Sequence, residues 1–175
     1  GVWVSGPQPA APAPSAPPAA QPAVTRVVVI CLDALRADAL GATGALRPVS
    51  PFLDSMVNTG IRYERMYATA SWTFPSVLSL FTGQYPLAHG VHAVEEVVNP
   101  AVPLLAERLK EAGIVTGCIA ENNLFDGRYQ LNRGFDAYHF IYPAQIAGKP
   151  KGSPEVTRLA LEFLKTHTDD RFFLY

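Results

Sequence analysis

The run TRVVVICLD, residues 25 to 33, constrains the fold more than any other stretch of the chain. Apolar and β-branched residues follow one another there with no polar alternation, the pattern of a strand covered on both faces. Such strands lie in parallel sheets between layers of helices, so the run predicts a central, parallel strand of an α/β domain. The segments that follow agree with that reading. SPFLDSMVNTG, residues 50 to 60, has Ser50 placed to cap, Pro51 at the first helical position and Gly60 where a helix would stop. IRYERMYATA alternates and predicts a strand over 61 to 70, and a short helix over 75 to 82 closes at Gly83. A further helix over 101 to 113 puts Val102, Leu105, Ala106 and Leu109 on one face, and IVTGCIA, 114 to 120, reads as a buried strand. SPEVTRLALEFLKTH repeats the Ser-Pro start and carries the stripe Val156, Leu159, Ala160, Phe163 and Leu164, after which RFFLY begins a last strand. The expected architecture is a three-layer α/β domain: a mainly parallel, mixed sheet with helices on both faces.

Residues 1 to 24 differ in kind, being almost entirely proline, alanine and other uncharged residues. They predict a disordered, extended tether with too little side-chain hydrophobicity to pack, leaving a folded part from Thr25 onward. The whole chain, at 175 residues with 49% hydrophobic and 17% charged residues, has the size and composition of one globular domain. A net charge of −1 and scattered charges give no basic patch to track a phosphate backbone, which argues against nucleic acid as a partner. No stretch reaches the roughly 20 apolar residues of a membrane-spanning helix. The first residue is Gly1, so a signal peptide or an upstream membrane tether stays open, and the tether predicts a periplasmic, secreted or membrane-tethered location outside the cytoplasm. Cys31 and Cys118 sit inside apolar runs, where a free cysteine behaves as a small hydrophobe.

Sites in open α/β sheets form at the carboxyl ends of strands. Asp33 ends the first strand, where its carboxylate could hold a divalent cation or cap the following turn. Thr73, two residues before Pro75, could be a helix N-cap. Equally, a hydroxyl at a helix start faces free N–H groups and the positive end of the dipole, which favour an anionic ester and a developing alkoxide. A cation shared with Asp33 would lower the hydroxyl pKa and make Thr73 a nucleophile. Asn122 and Asn123 follow the strand 114 to 120, and Asn122 is the better candidate to donate to a non-bridging ester oxygen, against the alternative of a loop asparagine. His89 and His92 read as structural, Arg36 and Asp38 as a local salt bridge, and His139 and His167 have no partner visible in sequence. The aromatic residues from 135 to 142 read as core or as a rim for an aryl or sugar group.

These residues carry a resemblance. VVVICLDALRADALGATG, then SPFLDSMVNTGIRYERMYATASWTFPSVLSLFTGQYPLAHGV, LAERLKEAGIVTGCIAENNLF and NRGFDAYHF, resemble in order the N-terminal half of the sulfatase family of the alkaline-phosphatase superfamily. The resemblance covers everything after the tether. It implies a metal-dependent hydrolase of sulfate or phosphate esters, with Asp33 and Thr73 as metal ligands, Thr73 and Asn122 as catalytic residues, and an anionic small molecule, glycan or lipid head group as substrate. Three features depart from the family pattern. Where sulfatases carry Cys or Ser in C/S-x-P-S-R, the source of formylglycine, this chain has Thr73-Phe74-Pro75-Ser76-Val77. No formylglycine is then expected, and the resemblance implies an unmodified Thr73 alkoxide, as in phosphodiesterase, phosphonate-hydrolase-like and phosphoglycerol- or phosphoethanolamine-transferase branches. Asp33-Ala34 stands where sulfatases have two aspartates, which leaves Ca, Mg, Mn and Zn all open. The remaining ligands of the family fall beyond Tyr175, so the fragment itself is expected to be inactive. A non-catalytic sulfatase-fold binding module or remnant is the alternative of another class.

Overall fold

The computed structural model of the chain describes residues 25–93, 96–142 and 154–175; the expected tether over 1 to 24 and the Ser153 cap lie outside them. Four strands form one sheet in the order β1 (Arg26–Val28), β4 (Phe172–Leu174), β2 (Val115–Ala120) and β3 (Ala137–Phe140). Every pairing is parallel, with Val27 opposite Phe173, Thr116 opposite Phe173 and Cys118 opposite Tyr138. The sheet is therefore parallel throughout the described residues and not mixed. Parallel order requires crossovers, and helices supply them: α1 (Pro51–Met56), α2 (Thr73–Thr82), α3 (Pro86–His89) and α4 (Leu105–Glu111) lie between β1 and β2, and α5 (Pro154–Thr166) between β3 and β4.

Period-two alternation in β2 divides the interior into two layers. Cys118 and Ala120 face one side, where they meet Phe74, Val77, Leu78 and Phe81 of α2, with Phe125, Tyr129 and Leu131. Those α2 positions follow the i, i+3, i+4, i+7 spacing of a helix that buries one face. Ile119 faces the other side and packs with Phe172, Leu174 and Phe163, the one buried residue of α5. The α5 stripe read from the sequence is thus the stripe that meets the sheet, with Val156, Leu159, Ala160 and Leu164 around Phe163. Each large side chain removed from water here contributes about 1.5–3 kcal/mol, which makes these two layers the main stabilising term.

Two expected elements differ. The first strand is an edge, not a centre: β1 spans only three residues, pairs with β4 alone among the described residues, and leaves Val27 and Val28 nearly half exposed. The central place belongs to RFFLY, whose Phe172–Leu174 are buried between β1 and β2. The alternating segment 61–70 is irregular, with Ile61, Tyr63, Met66 and Tyr67 exposed, because no described strand lies beside it to complete a ladder. β3 was read only as core or rim aromatics. It holds Tyr138 partly buried, and the Tyr138 hydroxyl donates to the Phe125 carbonyl at 2.6 Å.

Candidate active site

The three singled-out polar residues come together at the carboxyl edge of the sheet. Asp33 stands beyond β1, Asn122 just beyond β2, and Thr73 at the first position of α2. The Thr73 hydroxyl donates to Asp33 Oδ1 at 3.0 Å, and Asn122 Nδ2 donates to Asp33 Oδ2 at 2.8 Å. One carboxylate therefore joins positions 40 and 89 residues away in sequence.

Each side chain is aimed by its element. Trp72, with extended backbone, is the N-cap of α2 and makes no side-chain capping bond, so Thr73 is a helical residue and not the cap that local rules suggest. The reason is Pro75, which sits at the third helical position instead of the first; Phe74 and Pro75 are already buried in the core and start the helix earlier. The hydroxyl of Thr73 is left free to turn outward to Asp33. Gly83, in the left-handed conformation at φ 67°, ends the helix as the sequence predicts.

Asp33 lies on an exposed segment, and the next residue, Ala34, has a positive φ of 55°. A left-handed alanine is uncommon and costs of order 1 kcal/mol, and such strain gathers at functional sites. Arg36 then pairs with Asp38 in a two-bond fork of 2.9 and 2.5 Å, the local salt bridge expected from LRAD. Asn122 has extended backbone and caps the 3₁₀ turn Asn123–Phe125: its Oδ1 accepts from the Leu124 N–H at 3.0 Å. The amide thus caps the turn with its oxygen and reaches Asp33 with its nitrogen. Asn123 is exposed and makes no side-chain bond among those described.

Tyr175 was not singled out in sequence. It follows β4 as Asp33 and Asn122 follow their strands, so the same strand-end rule points to it. Its ring stacks on Phe125 with centroids 5.4 Å apart and meets Phe81 edge-on at 5.0 Å. Burial raises its phenol pKa well above the usual tyrosine range, and the neighbouring Cys31 and Asp33 add to the shift. The phenol therefore stays protonated beside the site.

Other candidates fall elsewhere. His89 is buried, its Nε2 lies 3.2 Å from Ser79 Oγ, and its Nδ1 accepts from the Val91 N–H, so it ties α3 to α2. His92 contributes its backbone N–H to Glu96. His139 is exposed on β3, while His167 bonds Asp170 at 2.7 Å and packs on Phe163 below α5. Val77, standing where the family pattern has arginine, is buried in the core and reaches no site.

The fit of a divalent cation can be tested on the oxygen pair. Adjacent ligands of an octahedral ion bound at about 2.1 Å stand about 3.0 Å apart, the separation of Thr73 Oγ1 and Asp33 Oδ1. Those two oxygens can form one edge of a coordination shell. No cluster of three or more His, Cys, Asp or Glu side chains able to hold a metal occurs among the described residues, so they form no complete shell there.

A family profile described as Sulfatase matches residues 25–175. An N-acetylgalactosamine-6-O-sulfatase of Bacteroides thetaiotaomicron is 29% identical over 141 residues, 71% of this chain and 27% of the relative. Arylsulfatase G of Homo sapiens is 39% identical over 121 residues, covering 65% of this chain and 23% of the relative. Among solved structures, a phosphonate monoester hydrolase of Agrobacterium radiobacter superposes with a TM-score of 0.63 at 18% identity, over 86% of this chain and 40% of that one. The protein Ps i-CgsB in complex with k-i-k-neocarrahexaose gives a TM-score of 0.65 at 20% identity, over 86% and 43%. These structural likenesses speak to the fold. The chain spans about a quarter of the length of these curated relatives.

Proposed function

We propose that this chain, which belongs to the sulfatase family, supplies the nucleophile of an ester hydrolase: Thr73 Oγ1 attacks the sulfur or phosphorus of an anionic ester. The observation that carries this reading is the 3.0 Å bond from the Thr73 hydroxyl to Asp33 at the first turn of a ten-residue helix. Nucleophile and acceptor stand at hydrogen-bond distance before any substrate arrives. As Oγ1 bonds to the central atom, its proton passes along the bond to Asp33, the ester oxygen leaves with the electrons of its broken bond and takes up a proton from water to become an alcohol, and a second water later cleaves the Thr73 ester to release the inorganic anion. The first-turn N–H groups of α2, left without a side-chain cap, favour the anionic oxygens of the substrate.

Sulfatase-family enzymes are generally dependent on a divalent metal. Asp33 and Thr73 are the residues here that would hold one, and a bound cation would lower the hydroxyl pKa. An unmodified threonine hydroxyl favours a phosphodiester or phosphonate ester over a sulfate ester, since it forms no formylglycine. Sulfated glycans form the second substrate class, supported by the similarity to a GalNAc-6-sulfatase. The proline- and alanine-rich residues 1 to 24 support action outside the cytoplasm.

The test is turnover of paired aryl sulfate and aryl phosphodiester substrates by the full natural chain, with divalent metal, for wild type and Thr73→Ala. Loss of about 10³-fold or more on the variant is expected. Equal rates for the two proteins would rule out Thr73 as nucleophile, and no turnover of either ester by wild type would favour a non-catalytic binding module.

A further inference from the structure

Asp33 needs an anchor that survives the reaction, and Thr73 cannot be it. In the proposed attack the Thr73 proton crosses to Asp33, so this bond reverses and then depends on an Oγ1 that is bonded to the central atom of the substrate and is freed again when water cleaves the ester. The segment bearing Asp33 has few other anchors: Cys31 neighbours the Tyr175 phenol, but Leu32 and Leu35 are about half exposed, Ala34 is left-handed, and the β1 ladder ends with the Val29 N–H donating to the Leu174 carbonyl. The second bond on Asp33 is of another kind. The Asn122 amide does not ionise, and it grips Oδ2 at 2.8 Å, the oxygen that Thr73 does not use.

Asn122 is itself fixed. Its Oδ1 accepts from the Leu124 N–H at 3.0 Å, which sets the amide plane and turns Nδ2 toward Asp33. That turn is nailed to the interior by Phe125, which is buried, stacks on Tyr175 and meets Phe81 edge-on. A line of contacts thus runs from core aromatics through Asn122 to Asp33. We propose that Asn122 is a positioning residue that holds Asp33 in register with Thr73 throughout the reaction, acting through the carboxylate instead of on the ester. This inference rests on the reading of Thr73 and Asp33 given above and replaces the ester-donor role that Asn122 offers in sequence.

Two variants separate positioning from simple capping. Asn122→Asp keeps an oxygen to accept from Leu124 but sets an anion against Asp33, while Asn122→Ala removes both bonds. Partners that orient a functional carboxylate typically change activity or metal affinity about 10- to 100-fold. Asn122→Asp in the full natural chain is therefore expected to lose kcat by about that factor with KM little changed and the thermal midpoint retained; Asn122→Ala is expected to lose kcat and some stability together. A kcat for Asn122→Asp at or above wild type, with the fold intact, would overturn the proposal and leave Asn122 a turn cap. An assay-independent arm follows the Asn122 side-chain amide by NMR: Asp33→Ala should move its resonances and speed their exchange, and unchanged resonances would also overturn it. Thr73→Ala run alongside keeps the two readings apart. Should that variant keep full rate, the nucleophile reading falls; should it be inactive while Asn122→Asp is normal, only the positioning role falls.

Discussion

Thr73 and Asp33, 40 residues apart in the chain, meet oxygen to oxygen at 3.0 Å. The contact joins the first position of α2 to a loop residue five positions past the end of β1. Its chemistry depends on charge more than on shape. Asp33→Asn keeps an oxygen to accept from Thr73 but removes the negative charge that draws off a proton or binds a cation. Because Asp33 is exposed, the thermal midpoint should change little while kcat falls about 10²-fold or more. Parallel melting curves and steady-state kinetics check this, and a variant that keeps full turnover sinks a chemical role for Asp33.

Ala34 carries the backbone strain of the site, with φ at 55°. Glycine adopts that conformation at no steric penalty, so Ala34→Gly should raise stability by about 0.5–1 kcal/mol, net of the entropy it returns to the unfolded chain. Asp tolerates the left-handed region better than most residues, so Ala34→Asp should fold as well as wild type. It would also place a second carboxylate beside Asp33. Calorimetric titration with Mg²⁺, Ca²⁺ and Zn²⁺ should then show tighter binding than wild type; unchanged affinity would mean that position 34 points away from the cation edge.

How much of this was legible in the sequence depends on how local each cause is. The α5 stripe was readable because its periodicity reports the face that packs, and the buried strand IVTGCIA because a short, mostly apolar run suits a strand covered on both faces. AYHF was missed as a strand because four residues containing a histidine show no clear period, and their strand state comes from pairing with Gly117–Ala120. TRVVVICLD announced a strand but not its rank in the sheet, which depends on neighbours far along the chain. At the site, the rule that ligands gather at strand ends singles out Asp33 and Asn122, and Tyr175, directly after β4, falls under the same rule. The Asp33 to Asn122 bond was beyond reach, since it spans 89 residues and needs the Leu124 N–H to set the amide.

His89 should make stability depend on pH. Burial disfavours its charged form and lowers its pKa below the ordinary 6.5, an effect that outweighs its hydrogen bond to the Pro75 carbonyl. The sign follows from proton counting. Just below pH 6.5 the unfolded chain binds a proton at this residue that the folded chain does not, so stability falls as pH drops through that value. The fall continues until the native imidazole is itself protonated, and above pH 6.5 the contribution is flat. Thermal midpoints between pH 8 and pH 5 should decline more steeply for wild type than for His89→Gln, which retains hydrogen-bonding groups without a titrating ring. Parallel curves for the two proteins would contradict this account.

Gly134 and Gly83 both have positive φ, at 81° and 67°, yet they should respond very differently to alanine. Around Gly83 nothing lies within 4 Å of the added Cβ, so Gly83→Ala costs only the left-handed penalty, about 1–2 kcal/mol. At Gly134 the new Cβ would stand 2.2 Å from the Glu107 backbone nitrogen and 2.5 Å from the Ala106 carbonyl carbon, and neither atom can move without shifting α4. That shift would disturb a clamp at the start of β2. The Gly134 carbonyl accepts from the buried Thr116 hydroxyl at 2.7 Å, Asp136 accepts from the Thr116 N–H at 3.0 Å, and Lys110 of α4 pairs with Asp136 at 2.7 Å. Lys110, with bonds from Thr116, holds the Asp136 carboxyl below the usual carboxylate range. Strain and collision together should cost Gly134→Ala about 3 kcal/mol or more, against about 1–2 kcal/mol for Gly83→Ala. Urea midpoints measured side by side decide the matter, and equal losses would show that α4 yields to the added methyl group.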